Sequence, residues 1–255
     1  MEPLITNKEG GVFFITLNRP DFLNAINRDL LSALSSALHE ADAPDVRAVV
    51  IKGMGRAFCA GQDLKEASAG KLDYEKHLEL YNEVFLQIRR LEKPVIAGVH
   101  GVAAGAGMSL ALAADLRLLS YSASFITAFA RIGLAPDTGI TATLPRLVGM
   151  GKAFELLALS PEINAVQALE LGLANRLVSD DEFEETLIRW STEIANGPTL
   201  VYGLVKRALN SNRATTLEEA VALEAELQGI AGGSRDHQEG LAAFLGGRKP
   251  RFQGR

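Results

Sequence analysis

The strongest constraint on the fold is an alternation of strand-like and helix-like segments over the first 120 residues. Short apolar runs typical of strands lie at 12–17, 46–52, 94–99 and 116–119. Apolar residues at helical spacing lie between them, around 30–38, 74–91 and 105–114. Such alternation is typical of βαβ units, in which a helix returns the chain to the start of the next parallel strand. The sequence therefore predicts an α/β fold with mainly parallel strands.

The pattern changes after about residue 152, where helical spacing dominates. The helical segments cover 152–159, 165–171, 181–196, 199–209 and 217–231. We predict an α/β core at 1–197 and a helical region at 198–255, whose apolar stripes are expected to pack on another copy of the chain. Lys206 and Arg207 are expected on a solvated helix face, with contact to a ligand phosphate across a subunit boundary as the alternative.

Charge and composition exclude several classes of protein. Lys and Arg number 26 and Asp and Glu number 31, so the formal net charge is -5. A dedicated nucleic-acid-binding protein would normally carry a basic excess. A single cysteine, Cys59, rules out a disulfide bond within the chain. The four histidines, at 39, 77, 100 and 237, lack the spacing of metal ligands, so no metal site is predicted.

No segment indicates export or membrane insertion. The first residues lack the basic and then apolar pattern of a signal peptide. The longest stretch of low charge, 94–115, opens with Pro94 and has glycines in its middle. That favours a buried strand, a turn and a buried helix over a membrane span. We therefore expect a cytoplasmic protein.

Two glycine-containing turns are the candidate site. Residues 55–64 follow the second predicted strand, and residues 101–109 follow the third and open a helix. Small side chains expose backbone N–H groups to a ligand, and a helix N-terminus offers unpaired N–H groups. Two such turns can each supply one N–H to a single oxygen, which is an oxyanion hole. The alternative is that both are simply close-packed turns.

The two turns form part of a longer ordered set of motifs. Asn-Arg-Pro at 18–20 and Asn-Ala at 24–25 precede them, and Leu-Ala-Pro-Asp at 134–137 follows. In this order, and over nearly the whole chain to the tail at 248–252, the sequence resembles the enoyl-CoA hydratase/isomerase (crotonase) superfamily. The resemblance implies a crotonase-like spiral of ββα units with a helical C-terminal region for trimerisation. It also implies acyl-CoA thioester substrates, a stabilised enolate, and a homotrimer or dimer of trimers.

The resemblance also implies roles for individual residues. The oxyanion N–H donors would be Ala60 and Ala106. The remaining substrate-binding positions would be Leu23, Ala25, Gly61, Gln62, Asp63, Leu64, Gly105, Ser109 and Phe129. Coenzyme A is then part of the substrate, and no separate cofactor is expected. Family members often carry a basic residue at the position of Phe22 to meet a CoA phosphate; here Arg19 or a basic residue of the tail is expected to substitute.

Hydratases of this family use two glutamates on either side of a water molecule. The matching positions here are Ser109 and Phe129, so neither carboxylate is present. Without that pair the water has no evident acid and base, and ordinary hydration is disfavoured.

One carboxylate remains in a suitable place, Asp137. Its apolar and small neighbours predict burial and a raised pKa, which suits a proton carrier. The alternative is a turn aspartate, since Pro-Asp-x-Gly is a common turn sequence. Dienoyl-CoA isomerases and the 1,2-epoxyphenylacetyl-CoA isomerases of phenylacetate degradation carry an aspartate at this position. The latter group shares the strings at 58–64 and 101–107 and the Pro-x-Phe-x-Gly-basic ending.

By this resemblance the chain is an isomerase of CoA thioesters. It would rearrange 2-(1,2-epoxy-1,2-dihydrophenyl)acetyl-CoA and shift the double bond of a 3-enoyl-CoA to the 2-position. Two alternatives stay open, an enoyl-CoA hydratase and a non-catalytic acyl-CoA-binding relative. A plain binding protein would keep the turns but would not need Asp137.

Overall fold

The strands form two sheets. The structure is a computed structural model that describes residues 2–67, 73–211 and 216–255. The strands are β1 Leu4–Glu9, β2 Val12–Leu17, β3 Ala48–Gly53, β4 Val95–Val99, β5 Val102–Ala104, β6 Leu116–Ser120, β7 Ser124–Ile126, β8 Ile163–Asn164 and β9 Arg176–Val178. The larger sheet has the order β1-β2-β3-β4-β6-β9 and the smaller one β5-β7-β8. In the larger sheet only β1 and β2 pair antiparallel.

The helices lie between the strands and continue after the last strand. They are α1 Arg28–Glu40, α2 Leu64–Ala67, α3 Tyr74–Arg90, α4 Ala106–Ala113, α5 Ile140–Val148, α6 Met150–Leu159, α7 Ala165–Glu170, α8 Phe183–Ala195, α9 Thr199–Ser211, α10 Leu217–Gly232 and α11 Arg235–Leu245. Short 3-10 helices lie at Pro20–Phe22 and Phe129–Ile132. None of the helices in the described ranges is long and apolar enough to cross a membrane.

The chain passes repeatedly from the larger sheet to the smaller one and then into a helix. β4 is followed by β5 and α4, and β6 is followed by β7 and, later, α5. β3 begins a similar unit, because Cys59 after it forms a parallel bridge with Ala103 of β5 before the chain reaches α3. These repeated strand–strand–helix units place the turns after β3 and β4 side by side.

The inner strands β2, β3, β4 and β6 of the larger sheet are buried on both faces, which explains their continuous apolar runs. In β2, Phe13 and Ile15 face a core shared with α1, α3 and α4. The alternate residue Phe14 faces a second cluster with Leu187 and Trp190 of α8. A strand buried on both faces cannot show polar alternation, so its sequence reads as one apolar run.

The predicted parallel strands and the helices between them are confirmed. Asn27 caps α1 by accepting a hydrogen bond from Leu30 N at 3.0 Å. The sequence analysis did not predict β1, α5, α11 or the short strands of the smaller sheet. After residue 198 the described part of the chain is helical apart from its tail. The boundary at residue 197 between the α/β core and the C-terminal helical region stays a prediction.

The expectation of a solvated Lys206 is wrong. Lys206 on α9 is only 7% exposed, and its ammonium lies 2.7 Å from the carboxylate of Asp115. It also donates to Lys93 O at 3.1 Å. Burial lowers the pKa of Lys206, and Asp115 opposes that shift. Asp115 further accepts from Val95 N at 2.9 Å, so this one carboxylate joins α9 to the start of β4.

Replacing Asp115 by alanine should therefore lower the free energy of unfolding by about 3 kcal/mol, because the buried Lys206 ammonium loses its counter-charge. Urea unfolding measures the change. Glu155→Ala is the matched control, since Glu155 pairs with Lys152 at the surface and exposed pairs contribute little. Equal effects of the two substitutions would contradict the interpretation.

Candidate active site

A cavity of about 200 Å³ lies where the two glycine-containing turns meet. The turn after β3 supplies Gly61 and Gln62 to its wall, and the turn after β4 supplies Ala106. Helix α3 forms a further wall, and the segment 128–137 closes the cavity on the remaining side. The repeated units of the fold thus bring four separate segments of sequence around one space.

Backbone hydrogen bonds hold the first turn from two sides. Cys59 exchanges bonds with β5, donating to Val102 O at 3.1 Å and accepting from Ala104 N at 2.9 Å. On the other side Ala60 N donates to Leu23 O at 2.9 Å. The predicted oxyanion donor Ala60 therefore has its N–H already occupied, and the expectation that this N–H meets a ligand oxygen is corrected.

The unoccupied N–H of this turn belongs to Gln62. Gly61 O accepts from Ile26 N at 2.7 Å. In a planar trans peptide the N–H points opposite to the carbonyl, so Gln62 N–H points away from Ile26. Within the described ranges it has no hydrogen-bond partner, and the same holds for Ala106 N–H at the start of α4. Two free donors therefore border the cavity, one from each turn.

Two glycines allow the turns to approach so closely. Gly61 has a φ of +91°, and a Cβ there would lie 2.6 Å from Ala104 O and 3.5 Å from Ala106 N. A Cβ on Gly107 would lie 2.1 Å from Cys59 O. The separations of 2.6 Å and 2.1 Å from carbonyl oxygens are shorter than real Cβ contacts. A larger side chain at either glycine would therefore push the turns apart.

A loop before α1 fixes the first turn from outside. The amide of Asn24, which is fully buried, donates to Met54 O at 2.9 Å and Ala57 O at 2.8 Å and accepts from Arg19 N at 2.9 Å. Arg19 in turn binds Asp63 at 2.9 Å and lies 4.8 Å over the ring of Phe22. Arg19 is therefore engaged within the protein, contrary to its expected role at a CoA phosphate.

Burial alone would raise the pKa of Asp63, but the Arg19 guanidinium overcomes it and the pKa lies below its ordinary range. Asp63 also accepts from Lys65 N at 3.2 Å, so its carboxylate fixes the start of α2.

Asp137 lines the same cavity as the two free N–H groups. It is partly buried. Burial raises the pKa of Asp137, while the Thr138 hydroxyl and, after it, the nearby His77 lower it to a smaller extent. Among the described residues that line the cavity, Asp137 carries the one carboxylate. A carboxylate with a raised pKa beside two N–H donors can remove and return protons.

His77 is a cavity residue that the sequence analysis considered only as a metal ligand. Its Nε2 lies 2.7 Å from Gln62 Nε2, and its ring packs against Tyr81 at 5.1 Å between centroids. Tyr81 donates to Ile26 O at 3.1 Å, and burial raises its pKa. His77 falls one turn before Tyr81 on α3, but a lone histidine on a helix gives no signal of a site in the sequence.

The structure brings together most, though not all, of the residues implied by the resemblance. Those at the cavity are Ala60, Gly61, Gln62, Leu64, Gly105, Ala106, Phe129 and Asp137. Leu23, Ala25, Asp63 and Ser109 do not line it. Ser109 is 2% exposed, and its hydroxyl donates to Gly105 O at 3.3 Å inside α4.

Cys59 is not a candidate nucleophile, although it lies in the first turn. Its side chain is buried and donates to Asn24 O at 3.2 Å. Burial raises the pKa of the Cys59 thiol to about 12, so the thiol stays protonated near neutral pH. Its contribution is to fill space between the two turns.

The chain is similar to known proteins over nearly its whole length. The model of the family described as enoyl-CoA hydratase/isomerase matches residues 7–255. The 1,2-epoxyphenylacetyl-CoA isomerase of Escherichia coli is 38% identical over 261 residues and covers 100% of both chains. A probable enoyl-CoA hydratase of Rhodobacter capsulatus is 43% identical over 246 residues, covering 96% of this chain and 95% of its own. The crystal structure of an enoyl-CoA hydratase from Bacillus anthracis superposes with a TM-score of 0.95 at 30% identity, covering 99% and 100%.

Replacing Gly107 by alanine should lower the free energy of unfolding by about 2 kcal/mol, because the new methyl group meets a backbone oxygen that cannot move aside. Gly151→Ala is a matched control. Both glycines are the second residue of a helix, but Gly151 has no atoms near its Cβ direction. Alanine there should be neutral or slightly stabilising. Equal effects in urea unfolding would refute the close approach of the turns.

Proposed function

The chain belongs to the enoyl-CoA hydratase/isomerase (crotonase) family, and on that premise we propose that it isomerises acyl-CoA thioesters. Members of this family are enzymes that process CoA thioesters, as hydratases or isomerases. The observation that carries the proposal is the cavity itself, in which Asp137 is the one carboxylate among the described lining residues. A proton transfer between two carbons of the same molecule requires one base, whereas activation of water by this family uses two carboxylates.

The residues at the two positions that match the hydratase glutamates, Ser109 and Phe129, also favour an isomerase over a hydratase. Phe129 places an apolar ring at the cavity wall. Ser109 is buried within α4 and its hydroxyl is already bonded to Gly105 O. Neither group can remove a proton from water near neutral pH.

The proposed mechanism uses backbone donors and one side chain. The N–H groups of Gln62 and Ala106 bind the thioester oxygen, which stabilises the negative charge that develops there. Asp137 removes a proton from carbon 2 of the acyl group, giving an enolate whose charge extends over the adjacent double bond. The same carboxyl group then returns the proton to carbon 4. The double bond moves from the 3- to the 2-position, and no atom is gained or lost.

We further propose 2-(1,2-epoxy-1,2-dihydrophenyl)acetyl-CoA as a substrate, which would place the enzyme in phenylacetate degradation. The E. coli relative with that activity matches this chain over its full length. The cavity of about 200 Å³ also suits a ring, since cavities of about 150 Å³ hold benzene. Its aliphatic and aromatic walls, which include Leu78, Phe129, Ile132 and Leu134, match the apolar part of such an acyl group.

We also propose a cytoplasmic homotrimer, or a dimer of trimers. Large apolar side chains are exposed on the late helices, among them Phe154 on α6 and Phe244 and Leu245 on α11. Phe244 is 84% exposed. Clusters of this kind in a folded chain are typical of surfaces that another subunit covers.

The first test follows the ultraviolet absorbance of a 3-enoyl-CoA solution after addition of the protein. The conjugated 2-enoyl product absorbs more strongly, so an isomerase gives a rise that persists. Asp137→Asn should lower the rate by about 100- to 10,000-fold, because the base is lost. Calorimetry should show that the variant still binds phenylacetyl-CoA.

Asp181→Asn, which changes an exposed carboxylate before α8, is the control and should leave the rate unaltered. A rise that then decays would mean that water is added, and the enzyme would be a hydratase. No rise with any substrate, together with intact binding, would favour the non-catalytic acyl-CoA-binding alternative.

The rate should also depend on pH in a defined direction. Asp137 acts in its ionised form, and burial raises its pKa above the ordinary 3.8. The value of kcat/KM should therefore increase with pH as Asp137 loses its proton, with the midpoint above pH 3.8, and decrease as pH falls through that midpoint. A midpoint at or below 3.8 in the pH profile would rule out a buried Asp137 as the base.

A further inference from the structure

The polar groups of the cavity differ in how far their hydrogen bonds are already satisfied. Five polar side chains line it within the described ranges: Gln62, His77, Tyr81, Arg131 and Asp137. The Tyr81 hydroxyl donates to Ile26 O. Arg131 is exposed at the rim and directs two of its nitrogens at Ser160 O, at 3.1 and 2.5 Å. The proposed function already uses Asp137 as the base.

His77 retains an unused ring nitrogen. Its Nε2 lies 2.7 Å from Gln62 Nε2, and an amide nitrogen can only donate, so the ring accepts there. A neutral imidazole that accepts at Nε2 carries its proton on Nδ1. No described residue accepts a hydrogen bond from Nδ1, and Nδ1 is not among the side-chain atoms that are buried without a partner. His77, which lines this mostly apolar cavity, thus retains an N–H donor that no described residue engages.

The position of this donor complements the rest of the site. The N–H groups of Gln62 and Ala106 would hold the thioester oxygen, and an ionised Asp137 can accept but not donate. A neutral oxygen elsewhere on the acyl group, as in an ether or epoxide, is only an acceptor. Among the mostly apolar walls of this cavity it would need a donor, because leaving a polar oxygen unpaired there is costly.

We propose that His77 donates a hydrogen bond from Nδ1 to an oxygen carried by the acyl group, and so selects acyl-CoA thioesters with an oxygen-bearing ring. This inference rests on the proposed function, since it places an acyl group in the same cavity. It names His77 as a determinant of substrate specificity, separate from the proton transfer at Asp137.

The test compares two stable ligands that differ by one atom, tetrahydropyran-2-ylacetyl-CoA and cyclohexylacetyl-CoA. Calorimetry gives the dissociation constant of each and needs no turnover. The protein should bind the oxygen-containing ring about three- to tenfold more tightly, as one net hydrogen bond provides. Equal affinities, or a preference for cyclohexyl, would overturn the inference while leaving the isomerase proposal intact. If neither ligand binds, the proposed function and this inference both fail.

Two variants then locate the donor. The side-chain amide of asparagine occupies roughly the place of Nδ1 in histidine, whereas that of glutamine lies nearer Nε2. His77→Asn should retain the preference for the oxygen-containing ring, and His77→Gln should lose it. Thermal unfolding checks that both variants are folded. If the role of His77 were merely structural, a substitution would weaken the binding of both ligands equally, and the ratio of their dissociation constants would not change. A His77→Gln variant with the same ratio as the native protein would therefore contradict the assignment.

Discussion

The hydrogen bonding of the first turn determines what this site can do. In an extended segment the N–H and C=O of one peptide group point to opposite sides, so they bond to different neighbours. β5 binds the N–H and C=O of Cys59, and the loop before α1 binds Ala60 N–H and Gly61 O. The N–H of Gln62 then remains free beside that of Ala106, and glycines at 61 and 107 let the two turns meet. The oxyanion site is thus a consequence of how this segment bonds to β5 on one side and to the loop before α1 on the other.

The chemistry of the cavity depends on where charge is absent as much as on where it is present. Asp137 has no ion-pair partner among the described residues, so burial dominates its pKa. Asp63 and Asp115, by contrast, pair with Arg19 and with Lys206. Among the described residues, the carboxylates of Asp63 and Asp115 are paired with cations, and the carboxylate at the cavity forms no ion pair. That distribution is typical of a proton-transferring group rather than a structural one.

The sequence predicted the parallel strands because their apolar runs are long, and it predicted the burial of Asp137 because its neighbours are apolar. The catalytic role of Asp137 was implied by the family resemblance, since the residues alone also fit a turn aspartate. It assigned the first oxyanion donor to Ala60, two residues from the free N–H at Gln62. Which N–H is free depends on partners at residues 23–26, far away in the sequence, so local pattern could not decide it. Lys206 was misplaced for a similar reason, since its counter-charge Asp115 lies about 90 residues away. The strands of the smaller sheet span only two or three residues, too few to give a periodic signal.

The central claim is that Asp137 and the two backbone N–H groups act on carbon 2 of an acyl thioester. It can be tested most directly with phenylacetyl-CoA in D₂O, a ligand that has no double bond to shift and no epoxide to open. Proton NMR follows the signal of the protons at carbon 2. We expect the protein to replace these protons with deuterium, and the Asp137→Asn variant to bind the ligand without exchanging them. Persistent proton signals with the native protein, despite saturated binding, would contradict this mechanism.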